Sequence, residues 1–119
     1  MTAPYEKKEL SKEVIELSLE IIEVARNSGK IKKGVNEATK AIEREKAKLV
    51  VVANDISPPE IVMHLPALCE EKKIPFVVAG TKTELGTSAG LEVSTSAVAV
   101  LDAGEAKKQL LNIRKEFEK

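Results

Sequence analysis

Residues 49 to 62 read Leu49-Val50-Val51-Val52-Ala53-Asn54-Asp55-Ile56-Ser57-Pro58-Pro59-Glu60-Ile61-Val62. The first five form a continuous apolar run, β-branched at three consecutive positions, and turn-forming residues follow it. Such a run marks a short strand buried on both faces, the kind found in sheets with helices on either side. Asn54-Asp55 and Ser57 end the strand. Pro58-Pro59 suits the first turn of a helix, where a backbone N–H has no intrahelical partner to lose. That helix is expected to reach about Lys72, with Pro66 as an irregularity inside it.

Working outward, residues 9 to 26 place apolar side chains at 14, 15, 17, 19, 21, 22, 24 and 25 and end in Asn27-Ser28-Gly29, which predicts a first helix over Glu9 to Arg26. Lys30 to Lys33 is expected as a short strand and Asn36 to Lys46 as a second helix. Toward the C-terminus the pattern gives a strand at Pro75 to Ala79, a short helix at Lys82 to Ala89, a strand at Ala97 to Leu101 and a closing helix at Glu105 to Phe117. Strands alternating with helices predict an α/β protein built as a three-layer α/β/α sandwich. At 119 residues, the chain is expected to be a single domain spanning 1–119, with no repeat, linker or low-complexity segment.

Composition narrows the function classes. The apolar fraction of 43% supports a folded core, and the net charge is zero, which argues against a general coat for nucleic acid. The charge is unevenly placed, however. Residues 26 to 48 hold eight cations (Arg26, Lys30, Lys32, Lys33, Lys40, Arg44, Lys46, Lys48) against three acids, a balance of +5, while residues 49 to 105 carry −5. A focused basic patch suits one local polyanionic element better than a long duplex. Tyr5, Phe76 and Phe117 are the only aromatics, too few for a base-stacking platform. Cys69 is the only cysteine, so neither an internal disulfide nor a cysteine-rich zinc site can form, and its apolar neighbours predict a buried, reduced thiol. The N-terminus has no apolar core of a signal peptide, and no run is long enough to span a membrane, so the expected location is cytoplasmic.

The basic patch contains Lys32-Lys33-Gly34-Val35-Asn36-Glu37-Ala38-Thr39-Lys40. Gly34 permits a tight turn into a helix that Asn36 could cap. At about 100° per residue, Asn36, Glu37, Lys40 and Arg44 then share a wedge of roughly a quarter turn, opposite an apolar stripe of Ala38, Ala41 and Ile42. A carboxylate is repelled by phosphate, so its place among cations needs a reason. Guanine offers one, because its N1–H and exocyclic amine are adjacent donors that a carboxylate can accept together while lysines hold the backbone. Those edges are closed off in a regular A-form duplex, so such a reader requires kinked or bulged RNA. The same residues also suit a plain solvated helix, with Asn36 as a cap, Glu37 favoured by the helix dipole, and Lys40 and Arg44 as an i,i+4 face.

Several separate motifs resemble the L-seven-Ae family of archaeal large-subunit ribosomal proteins that bind kink-turn RNA. They are Lys30 to Lys40, Leu49 to Val62, His64-Leu65-Pro66 through Cys69-Glu70-Glu71 with Ile74-Pro75, Leu85-Gly86, and Ala89-Gly90-Leu91-Glu92-Val93. The resemblance covers nearly the whole chain. It implies a mixed four-stranded sheet and a grip on tandem sheared G·A pairs by Gly34, Asn36, Glu37 and Lys40. It further implies backbone contacts from Lys33 and Arg44 and cover for the bulge from Leu91, Glu92 and Val93, and Lys82 is expected among the RNA-binding residues. Its expected partners are kink-turn RNAs (ribosomal RNA, guide RNA and ribonuclease P RNA) and the proteins of box C/D and H/ACA guide ribonucleoproteins. No catalytic activity, metal or cofactor is implied, and the chain is expected to be monomeric when free.

Two other strings suggest different chemistry. Gly86-Thr87-Ser88-Ala89-Gly90 matches the G-x-S-x-G of serine hydrolases, which requires a strained turn from strand to helix; here a short predicted helix surrounds it. His64 is the only histidine, so it would have to serve as the base of any triad; a packing or surface role on the third helix suits it better, and one histidine is no metal site. Asp55, at the end of a buried strand, resembles the phospho-accepting aspartate of a receiver domain, which is the alternative reading. Receivers begin with a strand and an acidic pair that holds magnesium, and this chain begins with a helix. Asp55 is then expected as a turn or capping residue.

Overall fold

A computed structural model of the protein describes residues 10–118. Helix α1 (Lys12–Ser28) opens on Ser11, whose hydroxyl accepts from Val14 N at 3.3 Å, and buries Val14, Ser18, Ile21, Ile22 and Ala25 along one stripe. Glu9, the expected start of this helix, and Tyr5 lie outside the described residues. Strand β1 (Lys30–Lys33) leads through Gly34 into α2 (Val35–Glu43), and strand β2 (Leu49–Val52) follows. A 3-10 turn at Pro59–Ile61 precedes α3 (His64–Lys72); then come β3 (Phe76–Val78), α4 (Lys82–Ser88), β4 (Ala97–Asp102), a second 3-10 turn at Gly104–Ala106 and α5 (Lys107–Glu118).

The sheet order is β1-β4-β2-β3. β4 runs antiparallel to both β1 and β2, and β2 runs parallel to β3, so the four-stranded sheet is mixed as expected. α1 packs with α4 and α5, whereas α2 packs with α3, giving a helical layer on each face of the sheet. Every residue of β2 is fully buried. Each of its side chains adds about 1.5–3 kcal/mol of transfer free energy, which is why the apolar run and not its local propensity decides where the strand lies.

Three expectations need correction. Asn36 does not cap α2. The cap position is Gly34, without a side-chain hydrogen bond, and Asn36 is already in the first turn. The helix also ends at Glu43 rather than Lys46, because Arg44 and Glu45 turn the chain, Glu45 with φ +56°. In the third helical segment the irregularity lies at Val62-Met63, between the 3-10 turn and α3, and not at Pro66. Pro66 is the third residue of α3, where its missing N–H would have had no intrahelical acceptor.

Candidate nucleic-acid interface

The C-terminal ends of β1, β2 and β3 and the N-terminal end of β4 lie together, since Lys33 pairs with Val98, Val52 with Ala97, and Val52 with Val78. Most of the candidate residues emerge at this end. One acceptor ties two of the segments: the carbonyl of Ala97 receives the Gly34 N–H at 2.7 Å and the Thr95 hydroxyl at 3.3 Å. The start of α2 and the end of the loop before β4 are thereby held to the same peptide.

Gly34 has φ +98° and ψ 154°, a region open essentially only to glycine. No heavy atom lies within 4 Å of where its Cβ would be, so conformation and not crowding selects the residue. From this turn α2 seats Ala38, Ala41 and Ile42 in the core and leaves Asn36, Glu37 and Lys40 exposed. Glu37 Oε1 and Lys40 Nζ are 3.8 Å apart, with side chains 48% and 56% exposed. An exposed pair of this kind is worth well under about 1 kcal/mol, so either group can exchange its partner for an incoming ligand. Arg44 stands apart, at the C-terminal cap of α2, about 12 Å of helical rise from Asn36. The helix is steadied from below. The Thr39 hydroxyl donates to Val35 O at 2.8 Å, which leaves its oxygen to accept from Nε2 of the exposed His64 at 2.9 Å.

Lys82 reaches the same end through α4. Thr81 and Glu84 form a reciprocal cap: the Thr81 hydroxyl accepts from Glu84 N and the Glu84 carboxylate accepts from Thr81 N, each at 3.1 Å. The Lys82 carbonyl accepts from Thr95 N at 3.1 Å, connecting α4 to the 91–95 loop. Gly86 lies under that loop. A Cβ there would collide with Val93 O and stand 3.1 Å from Ser94 Cα. Within the loop the side chains diverge: Leu91 packs against the core, Glu92 is exposed, and Val93 is 69% exposed.

The rival readings acquire geometry as well. Ser88 is buried as the last residue of α4, not displayed on a turn from strand to helix. The Asp55 carboxylate is engaged by the Lys82 N–H. Cys69 is buried on α3, and burial pushes its thiol up to about 12. No group of acids, histidines and cysteines able to hold a metal occurs among the described residues, and no described helix is long and apolar enough to cross a membrane.

Sequence reading missed Thr95 and Ala97 as the residues that hold this end together. Apart from the Thr95 hydroxyl, which donates to Ala97 O, the contacts run between backbone atoms and leave no compositional trace in the sequence.

Comparison with known proteins bears on this site. The profile of the family described as "Ribosomal protein L7Ae/L30e/S12e/Gadd45 family" matches residues 18–110. Among solved structures, the chain is similar to the Giardia lamblia 15.5kD RNA binding protein, with 32% sequence identity over 97% of this chain and 96% of that one and a TM-score of 0.87.

Proposed function

The chain belongs to the ribosomal protein L7Ae/L30e/S12e/Gadd45 family, and from that membership we propose that it is an RNA-binding protein that recognises and stabilises kink-turns. The observation that carries the reading is the exposed N-terminal end of α2, where an amide, a carboxylate and an ammonium stand together on a helix whose other face is locked into the core. The Giardia relative, named as an RNA binding protein, supports the partner class.

In this mechanism Glu37 accepts from the N1–H and amine of a guanine in a sheared G·A pair, and Asn36 addresses the neighbouring base edge. Lys33, Lys40 and Lys82 neutralise phosphates brought together by the kink. Arg44, two turns along the helix, meets backbone farther down a stem. Val93 covers an unstacked bulge nucleotide. The protein acts by population shift: free RNA samples extended and kinked forms, and contacts available only in the kinked form draw the equilibrium toward it. In this reading the protein works within the large ribosomal subunit and, in an archaeal cell, within box C/D and H/ACA guide particles and ribonuclease P. Catalysis in those particles belongs to other molecules.

The test is a gel-shift titration with a kink-turn hairpin and with the same hairpin carrying Watson–Crick pairs in place of its G·A pairs. Strong preference for the first is expected, because regular pairing closes the groove that α2 must enter. Equal affinity for both would refute base reading by Glu37.

A further inference from the structure

A shallow groove runs between the end of α1, strand β1 and the Ala89-Gly90 turn, and Arg26, Lys30 and Lys33 line it without any acid among the lining residues. The Arg26 guanidinium lies over Gly90: a Cβ on that glycine would collide with Nη1 and stand 3.1 Å from Cδ and 3.2 Å from Cζ. Among the described residues no salt bridge reaches any of the three cations. Asp102, opposite Lys30 in the β1–β4 ladder, turns its carboxylate to Gly104 N at 2.8 Å instead.

Simpler causes explain these cations only one at a time. Lysines on an edge strand such as β1 discourage strand addition, but Arg26 is on a helix. A cation in the last turn of α1 favours the helix dipole, but that does not account for Lys30 and Lys33. Three like charges along one trough repel each other and are relieved by an anion laid between them. The groove also adjoins the interface on two sides. Lys33 lines it and immediately precedes Gly34, and Gly90 immediately precedes Leu91.

We propose that this groove holds the sugar-phosphate backbone of the RNA strand that leaves the α2 site, so that the footprint continues from Lys33 over Lys30 to Arg26. The inference rests on the RNA-binding reading given above and extends it to a contact with flanking stem. Arg26 supplies a planar fork suited to two phosphate oxygens, and Lys30 a point charge beside it.

The test is the double variant Arg26→Gln/Lys30→Gln, compared with wild type on two kink-turn hairpins, one with its stems extended and one trimmed to the motif. Both side chains are exposed, so thermal melting should be unchanged. On the extended hairpin the variant should bind more weakly at low salt, and its log–log salt slope should be shallower by about 1.8, two phosphates at about 0.9 each. On the trimmed hairpin the two proteins should match. Unchanged affinity and slope on the extended RNA, with wild type still preferring the kinked form, would overturn the groove assignment alone. An equal loss on both hairpins would overturn its placement beyond the motif. A wild type that does not distinguish kinked from regular RNA would overturn the α2 reading, and this extension with it.

Discussion

Asp55 Oδ1 accepts a hydrogen bond from the backbone N–H of Lys82 at 2.9 Å. This bond joins the segment after β2 to the first residue of α4. With the Thr81–Glu84 reciprocal cap it satisfies three N–H groups at the start of that helix, which otherwise have no intrahelical acceptors. The opposite pole of the same peptide-bonded residue, the Lys82 carbonyl, receives Thr95 N. Asp55 therefore acts on the 91–95 loop through one intervening residue.

Asp55→Ala should lower unfolding free energy by about 1 kcal/mol, the usual size of a lost helix-capping acceptor, as read from a shifted urea midpoint with an unchanged slope. Asp55→Asn keeps an acceptor and should lose less. If the two variants were equally stable, the carboxylate would not be the group that matters at this position.

Gly86→Ala should destabilise the fold by about 1–3 kcal/mol, as overpacking does, because the colliding atom is the backbone carbonyl oxygen of Val93, which cannot swing aside as a side chain could. The displaced loop should also weaken RNA binding. Gly34→Ala meets no atom within 4 Å and should lose about 1–3 kcal/mol through backbone strain alone. Denaturant melts of both variants, with RNA titrations alongside, separate a loop displaced by collision from strain confined to the turn.

Glu37→Ala should lose about 1–3 kcal/mol of preference for the guanine-containing site, the worth of a bidentate base contact. Lys40→Ala should weaken kinked and regular RNA more evenly than Glu37→Ala does and reduce the salt slope by about 1. Since Glu37 and Lys40 are paired at 3.8 Å in the free protein, tighter binding by Glu37→Ala would mean that the carboxylate only repels phosphate.

Burial pushes the Cys69 thiol from 9.0 up to about 12, so the folded protein keeps a proton that the unfolded chain releases near its ordinary value. The stability this contributes is complete below pH 9 and declines as pH rises toward about 12. At pH 8 Cys69 should resist alkylation in the native protein and react readily in urea. Rapid native labelling at that pH would contradict the burial.

The strands were legible where burial alone decides them: Leu49 to Val52 is continuous and apolar because both faces of the sheet are covered. Helix ends were less legible. Asn36 is a good capping residue in isolation, but the Gly34 N–H is bound to Ala97 O, and this tertiary bond begins the helix earlier than the side chain would. A helix opening at Pro58-Pro59 would put Pro66 in its interior as an irregularity, but α3 opens at His64, and a proline's effect depends on its distance from the helix start. Of the candidate interface, the α2 cluster follows from spacing along one element. The roles of Thr95 and Ala97 depend on bonds between elements, which no local pattern encodes.

Leu91 and Val93 flank Glu92 in a loop whose two ends are tied down, at Leu91 N to Gly86 O at 2.8 Å and at Thr95 N to Lys82 O. Their different surroundings require different responses to the same substitution. Leu91 packs against the core, so Leu91→Ser should lower the melting temperature through lost apolar burial and a polar group placed against apolar neighbours. Val93 is largely exposed, so Val93→Ser should leave melting nearly unchanged. If Val93 covers an unstacked nucleotide, that variant should still bind a kink-turn more weakly. The loss should be similar whichever base is bulged, because an aliphatic cover makes no hydrogen bond to a base edge. Thermal melts combined with titrations of hairpins carrying each of the four bulged bases measure both effects. Normal melting and normal affinity in Val93→Ser would remove this side chain from the interface, and a loss confined to one base would mean that the loop reads base identity rather than covering it.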